Sequence, residues 1–390
     1  CLFHQLLCIN KHFHRTFLIW RLPLKKHIYL LFAAFVAGGL SSCNDALDLP
    51  DDGRISYESI WSDRNRTIGY LNTCYNYVSG PSFGVISYTD DAQDAYVYMA
   101  NSSVTYWYSG LVSATSWPLG GSWSNAFVGI RYCNVFIQAL PNATAYAQEE
   151  EKKGWIAQAQ TLRAYYYLTL IREYGGVPLI TEPYSYDHDF SSDRRAKVWE
   201  IVKQILQDTD DALAAPGAED MSYTCKGFRW VLGSNYANMM HRALAYAIRS
   251  EAIMLAVSPL HANEEGNPYT WEDAARITKE ALDQCLAHDY SLFTRLPVVQ
   301  TDSKGAYDYY FFTPYDYDRT SDKETIYGVA GISVWNYYGL PTNSRQSSAG
   351  ISPTQELIDS YETADGHPIL KKTGDGKYYK DDSHLQPNFN

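Results

Sequence analysis

The chain has 390 residues, 46% hydrophobic and 15% aromatic, with a net charge of −12. It is apolar enough to build a sizeable core, and its acidic balance argues against a nucleic-acid partner. Its 34 tyrosines go beyond core filling, because a rigid apolar ring with a wet hydroxyl suits a binding surface.

Near the N-terminus, Lys25 and Lys26 precede an uncharged apolar run of 13 residues, Ile28 to Leu40, and the segment closes on Leu40-Ser41-Ser42-Cys43. This is the layout of a secretory signal with its cleavage site. The last four residues resemble a lipobox, in which the cysteine thiol is acylated and becomes the new N-terminus. The run is too short to span a bilayer, which takes about 20 residues. A core helix would hardly sit between Lys25-Lys26 and Asn44-Asp45-Ala46-Leu47-Asp48. Residues 1–42 are therefore read as upstream sequence plus a lipoprotein signal peptide, with Cys43 as the lipidation site and 43–390 as the mature chain. No methionine precedes Met99, so residues 1 to about 23 are set aside from fold reasoning. The mature length suits one large domain or two ordinary ones.

Hydropathy periodicity then predicts helices in order. The first covers 64–78. The second runs from Trp123 to Leu140, with Trp123, Phe127, Ile130, Asn134 and Ile137 on one stripe. The third and clearest runs from Lys153 to Tyr174, with Trp155, Ala159, Leu162, Tyr166, Leu170 and Glu173 at helical spacing, and ends at Gly175-Gly176. Further helices are predicted over 194–213, over 236–257 and from a Thr270 cap to about Ala287. Ser352-Pro353-Thr354-Gln355 reads as a capping box opening a last helix. Two aromatic-rich stretches, 84–121 and 305–345, are too long for ordinary connections and read as functional loops. The fold expected is mainly α, a tetratricopeptide-like scaffold of helical hairpins with long aromatic-rich loops, although no strict repeat of about 34 residues is visible.

Cys74, Cys133, Cys225 and Cys285 fall on or beside predicted helices, with no metal-ligand spacing. Free thiols are the default reading. A disulfide stays open, and the sequence pairs none of them.

Residues 160–181 run Gln160-Thr161-Leu162-Arg163-Ala164-Tyr165-Tyr166-Tyr167 and on to Arg172-Glu173-Tyr174-Gly175-Gly176-Val177-Pro178-Leu179. This resembles the signature of the SusD/RagB family of Bacteroidetes outer-membrane lipoproteins. Cys43-Asn44-Asp45-Ala46-Leu47-Asp48-Leu49-Pro50, the helix around Ala243 to Ala252, and Ser352 to Gly366 resemble three further family segments in the same order. The residues themselves point to a fold marker: tyrosines mainly in the core, Arg163 and Arg172 stacking on their rings, a left-handed exit at Gly175-Gly176, and Val177-Pro178-Leu179 packed as an extended strand. Family members continue past the Asp365-Gly366 motif, so the chain is read as incomplete at its C-terminus.

The resemblance implies a non-catalytic lipoprotein on the outer face of the outer membrane. It would capture oligosaccharides and pass them to a SusC-like TonB-dependent transporter, without a cofactor or a metal. The alternative is a peptide-binding or purely structural scaffold bracing that transporter. The residues offer no chemistry of their own. Gly120-Gly121-Ser122-Trp123-Ser124 is not a nucleophile elbow. Asp187-His188-Asp189 and Asp316-Tyr317-Asp318 are too common to define a metal or glycosidase site. A sugar needs flat rings for its C–H faces and polar groups for its hydroxyls. Tyr98, Asn101, Tyr106, Trp107, Tyr108 and Trp117 supply this mixture in the first loop, and Trp335, Tyr337, Tyr338 and Arg345 in the second. Trp107 and Trp335 are the leading candidates, set against the expectation that half or more of these rings pack the loops onto the scaffold.

Overall fold

The computed structural model describes residues 56–78, 88–94, 107, 109–116, 122–144, 149–216, 230, 239–292, 323–327, 351–363 and 366–372. Apart from Ser56, all belong to the unit Tyr57–Asn390. Cys43, Cys225 and the signal segment lie outside them.

The architecture is mainly α. In chain order it comprises α1 (Tyr57–Ser62), α2 (Arg64–Tyr75), β1 (Ala92–Asp94), α3 (Ser122–Ala139), α4 (Glu149–Tyr174), α5 (Val198–Ala214), α6 (Arg242–Val257), α7 (Trp271–Ala287), β2 (Ile351–Pro353) and α8 (Gln355–Ser360). Each long helix packs on its neighbour in sequence, from α2 on α3 through to α6 on α7. This gives the stacked hairpins of a tetratricopeptide-like scaffold.

Helix α4 is the axis, packed against α3 on one side and α5 on the other. Of the predicted stripe, Trp155, Ala159, Leu162, Tyr166 and Leu170 are fully buried, as are Tyr167 and Leu168 on adjoining faces, while Glu173 at its end is only half-buried and accepts from the Ser122 hydroxyl. A helix enclosed on several sides carries apolar residues around most of its circumference. Each large side chain buried here is worth about 1.5–3 kcal/mol, so α4 is the main source of cohesion. Its tyrosines are core residues whose hydroxyls are satisfied. The Tyr166 hydroxyl donates to the Cys74 carbonyl at 2.5 Å. That of Tyr167 donates to the Ile180 carbonyl at 2.8 Å and accepts from the Ile180 N–H at 2.7 Å. Close approach of α3 depends on Gly129, where an added Cβ would meet the Tyr166 ring at 2.5 Å.

At the end of α4, Gly175 adopts φ +66° and its N–H bonds the Ile171 carbonyl at 3.1 Å, as the paired glycines predict. The following Val177 is buried and extended. Its carbonyl accepts from the Ala196 N–H at 2.9 Å, and Pro178 bridges Arg195 in antiparallel fashion.

Helix α4 begins at Glu149, four residues ahead of the expected Lys153, and α3 one residue early at Ser122, whereas three helices start later than expected, each for a tertiary reason. Helix α5 begins at Val198 rather than 194, because Arg195 and Ala196 are engaged with the α4 exit. The Arg195 guanidinium donates to the carbonyls of Gly176 (2.5 Å) and Tyr174 (2.6 Å). Helix α6 begins at Arg242 rather than 236, with Met240 held outside by its N–H bond to the Tyr75 hydroxyl at 2.8 Å. The last helix is capped by Thr354, not Ser352, since Ser352 and Pro353 are strand residues paired with Gln93 and Ala92. The Thr270 cap of α7 stands where it was expected, in a reciprocal box with Asp273. Cys74, Cys133 and Cys285 are free thiols, the first two buried.

Candidate functional site

Two distant segments meet at β1 and β2. They pair antiparallel, with Ala92 opposite Pro353, Gln93 opposite Ser352 and Asp94 opposite Ile351. Such short strands are weak alone, and Thr354 reinforces them. Its N–H donates to the Asp91 carbonyl at 2.8 Å, and its hydroxyl donates to the Asp90 carbonyl at 2.5 Å. The same hydroxyl oxygen accepts from the Leu357 N–H at 3.3 Å, capping α8. One side chain thus starts a helix and anchors the beginning of the first aromatic stretch.

Just before this anchor, the Tyr88 ring lies against Trp107, with centroids 5.0 Å apart and planes inclined by 59°. Trp107 remains 36% exposed. Its backbone is set by a tight turn, in which Gly110 takes φ +69° and donates its N–H to the Trp107 carbonyl at 3.2 Å. Ser113 and Ser116 then close a second small turn by exchanging backbone hydrogen bonds. The indole is therefore braced by Tyr88 on one side while keeping open surface, an arrangement suited to stacking on a flat apolar ligand face.

Of the ten candidate ligand residues, Trp107 alone is among the described residues. Tyr98, Asn101, Tyr106, Tyr108, Trp117, Trp335, Tyr337, Tyr338 and Arg345 lie outside them, as do Asp316, Tyr317 and Asp318. The sequence reading missed Tyr88, whose only signal is its place in the first aromatic stretch.

The expected family motif builds a different kind of centre. The Arg163 guanidinium does not lie on tyrosine rings. Its Nε and Nη2 form a two-pronged pair with the Asp208 carboxylate at 2.9 and 2.6 Å. Its Nη1 donates to Asn134 Oδ1 at 2.8 Å and to the Thr181 carbonyl at 3.0 Å. Gln204 adds a bond to Asp208 at 2.8 Å. Burial works against the Arg163 cation, but the hydrogen bonds and charge of Asp208 outweigh it and raise its pKa. The pair locks α3, α4 and α5 to the chain leaving α4 and has no exposed face for a ligand. Arg172, on the opposite side, pairs with Glu251 of α6 at the surface. The motif is a structural marker, as the residues implied, through an ion pair rather than ring stacking.

Asp187 and Asp189 are exposed, each held below the usual carboxylate range first by a hydrogen bond from a serine, Ser185 and Ser191 respectively. His188 instead faces Asp193, Nε2 to Oδ1 at 3.0 Å. Among the described residues, no group of three or more His, Cys, Asp or Glu side chains is placed to hold a metal ion.

Residues 67–224 match the SusD-like family described as "Starch-binding associating with outer membrane". Over those residues the chain is similar to the SusD-like family. A SusD-like protein from Bacteroides fragilis superposes with a TM-score of 0.64 at 22% identity, covering 84% of this chain and 58% of its own length. A SusD-like carbohydrate-binding protein, also from Bacteroides fragilis, superposes with a TM-score of 0.57 at 17% identity, covering 81% of this chain and 56% of its own. The chain thus spans under three fifths of either structure, and at these identities the likeness is one of fold. No curated protein matches it significantly.

Proposed function

We propose that this SusD-like chain captures oligosaccharides without cleaving them, as a surface lipoprotein of the outer membrane acylated at Cys43, and passes them to a SusC-like TonB-dependent transporter. The observation that carries the binding role is the braced, open indole of Trp107 against Tyr88. A pyranose offers an apolar C–H face to such a ring, and the surrounding loop is rich in hydroxyl and amide groups for its edge. The description of the matched family as starch-binding and outer-membrane associated supports both the ligand class and the location. On this reading Tyr98, Asn101, Tyr106, Tyr108, Trp117, Trp335, Tyr337, Tyr338 and Arg345 belong to the same ligand-facing loops.

The test is native affinity electrophoresis of the purified chain through gels containing amylopectin, laminarin or xylan. Retardation by at least one polysaccharide is expected. Trp107→Ala should weaken it by about fivefold or more, since losing a stacked aromatic costs on the order of 1 kcal/mol, while the melting temperature stays put. Full retardation of the folded variant removes Trp107 from the site. Failure of every polysaccharide, with capture of oligopeptides instead, replaces the glycan reading with the peptide one.

A further inference from the structure

The connection between α4 and α5 holds a second aromatic group. Tyr184, Tyr186, His188 and Phe190 occupy alternate positions. The rings of Tyr184 and His188 lie nearly parallel, centroids 3.5 Å apart at 18°. Phe190 stands edge-on to both, 5.8 Å from Tyr184 and 4.8 Å from His188. In a loop, this much ring surface would ordinarily turn inward. Here Phe190 is 65% exposed and Tyr186 fully so.

The group is built rather than loose. Asp193 Oδ1 lies 3.0 Å from His188 Nε2, and the imidazole so held is the ring on which Tyr184 stacks. Arg131 of α3 donates to the Tyr184 carbonyl at 2.9 Å and ties the loop to the scaffold. Asp189 Oδ1 accepts the Ser191 N–H at 2.9 Å, and the Asp193 N–H bonds the Phe190 carbonyl at 3.2 Å, shaping the turn that presents the phenyl ring. A ring already held in place loses little freedom when a ligand arrives.

We infer that this loop is a second sugar-contacting platform, specific for neutral glycans, in which Phe190 and Tyr186 stack on pyranose faces while the exposed carboxylates of Asp187 and Asp189 accept hydroxyl hydrogens. The inference rests on the glycan reading above. Rings flanked by carboxylates match the two-sided chemistry of a neutral sugar. The same carboxylates repel an acidic polysaccharide at close range.

The experiment compares wild type, Tyr186→Ala/Phe190→Ala, Trp107→Ala and the triple variant by affinity electrophoresis in amylopectin, laminarin and polygalacturonate gels. The expected result is weakening by about threefold or more in a neutral gel for the double variant, further weakening in the triple, and no retardation by polygalacturonate. If Trp107→Ala weakens binding and the double variant does not, the platform is overturned and the first site stands. If only the double variant weakens binding, the platform stands and the Trp107 assignment falls. No retardation of wild type in any gel overturns both. Retardation by polygalacturonate that the double variant abolishes overturns the neutral specificity. Loss of transporter co-purification in the double variant, with glycan binding intact, assigns the loop to a protein contact and also overturns the platform. Should the double variant melt lower than wild type, the Tyr186→Ala single variant, whose side chain is fully exposed, replaces it.

Discussion

The Thr354 hydroxyl donates to the backbone carbonyl of Asp90, 264 residues earlier in the chain, at 2.5 Å. Through it a late helix cap and the start of the first aromatic loop become one structural unit. Thr354→Val keeps the shape and removes the hydroxyl. It should destabilise α8 and the β1–β2 pair by about 1 kcal/mol, the usual worth of a cap. It should also raise amide exchange at Ala92 and Leu357, which hydrogen-exchange mass spectrometry reads directly. Unchanged exchange in both segments would show that the two-strand sheet holds without the threonine.

The buried Arg163–Asp208 pair should respond asymmetrically to substitution. Asp208→Ala strands a guanidinium that is almost wholly buried and should cost about 3–5 kcal/mol in urea unfolding. Arg163→Met/Asp208→Leu removes both charges and should cost clearly less than the two single changes together. Single variants within about 1 kcal/mol of wild type would mean that water reaches the pair in solution.

Acid should loosen two helix starts. The Glu200 carboxyl is held below its usual range first by Arg194 and then by the Lys197 N–H, and that of Asp273 first by the Thr270 N–H. A carboxylate with a depressed folded pKa stabilises fully above its unfolded pKa of about 4, and that contribution is lost as pH falls through the folded value. The melting temperature should therefore drop between about pH 5 and pH 3. The drop should be shallower in Glu200→Gln/Asp273→Asn, because that variant has already lost both contributions at pH 7. Superimposable acid profiles would refute the assignment.

Much of the scaffold was legible because it depends on local pattern. The α4 stripe, the Gly175 exit and the Thr270 box all arise within a few turns of chain, where spacing and capping chemistry decide the outcome. What was misread depends on partners far away. Arg163 sits among tyrosines in sequence, but Asp208 lies 45 residues on, and nothing local distinguishes it from the other carboxylates of α5. Ser352 has the composition of a cap, yet pairing with Gln93 claims it for a strand. Helix α1 escaped notice because six residues carry too little periodicity, although Trp61 packs its indole against Tyr70 and Phe136. At the candidate site Trp107 was named from composition alone. Its brace by Tyr88 required the loop to fold back across 19 positions, which composition does not encode.

One cap in the array is borrowed. The first N–H of α5, at Val198, donates to Glu264 Oε2 at 3.0 Å, and Glu264 lies in the connection between α6 and α7. A hairpin that takes its opening hydrogen bond from the next hairpin is not a detachable module. Shortening the α6–α7 connection would fray a helix two elements upstream, and exchanging repeats between relatives at hairpin boundaries would sever a bond that neither hairpin contains by itself. The scaffold resembles overlapping tiles more than stacked bricks, and its evolution by repeat loss or gain is constrained at that overlap.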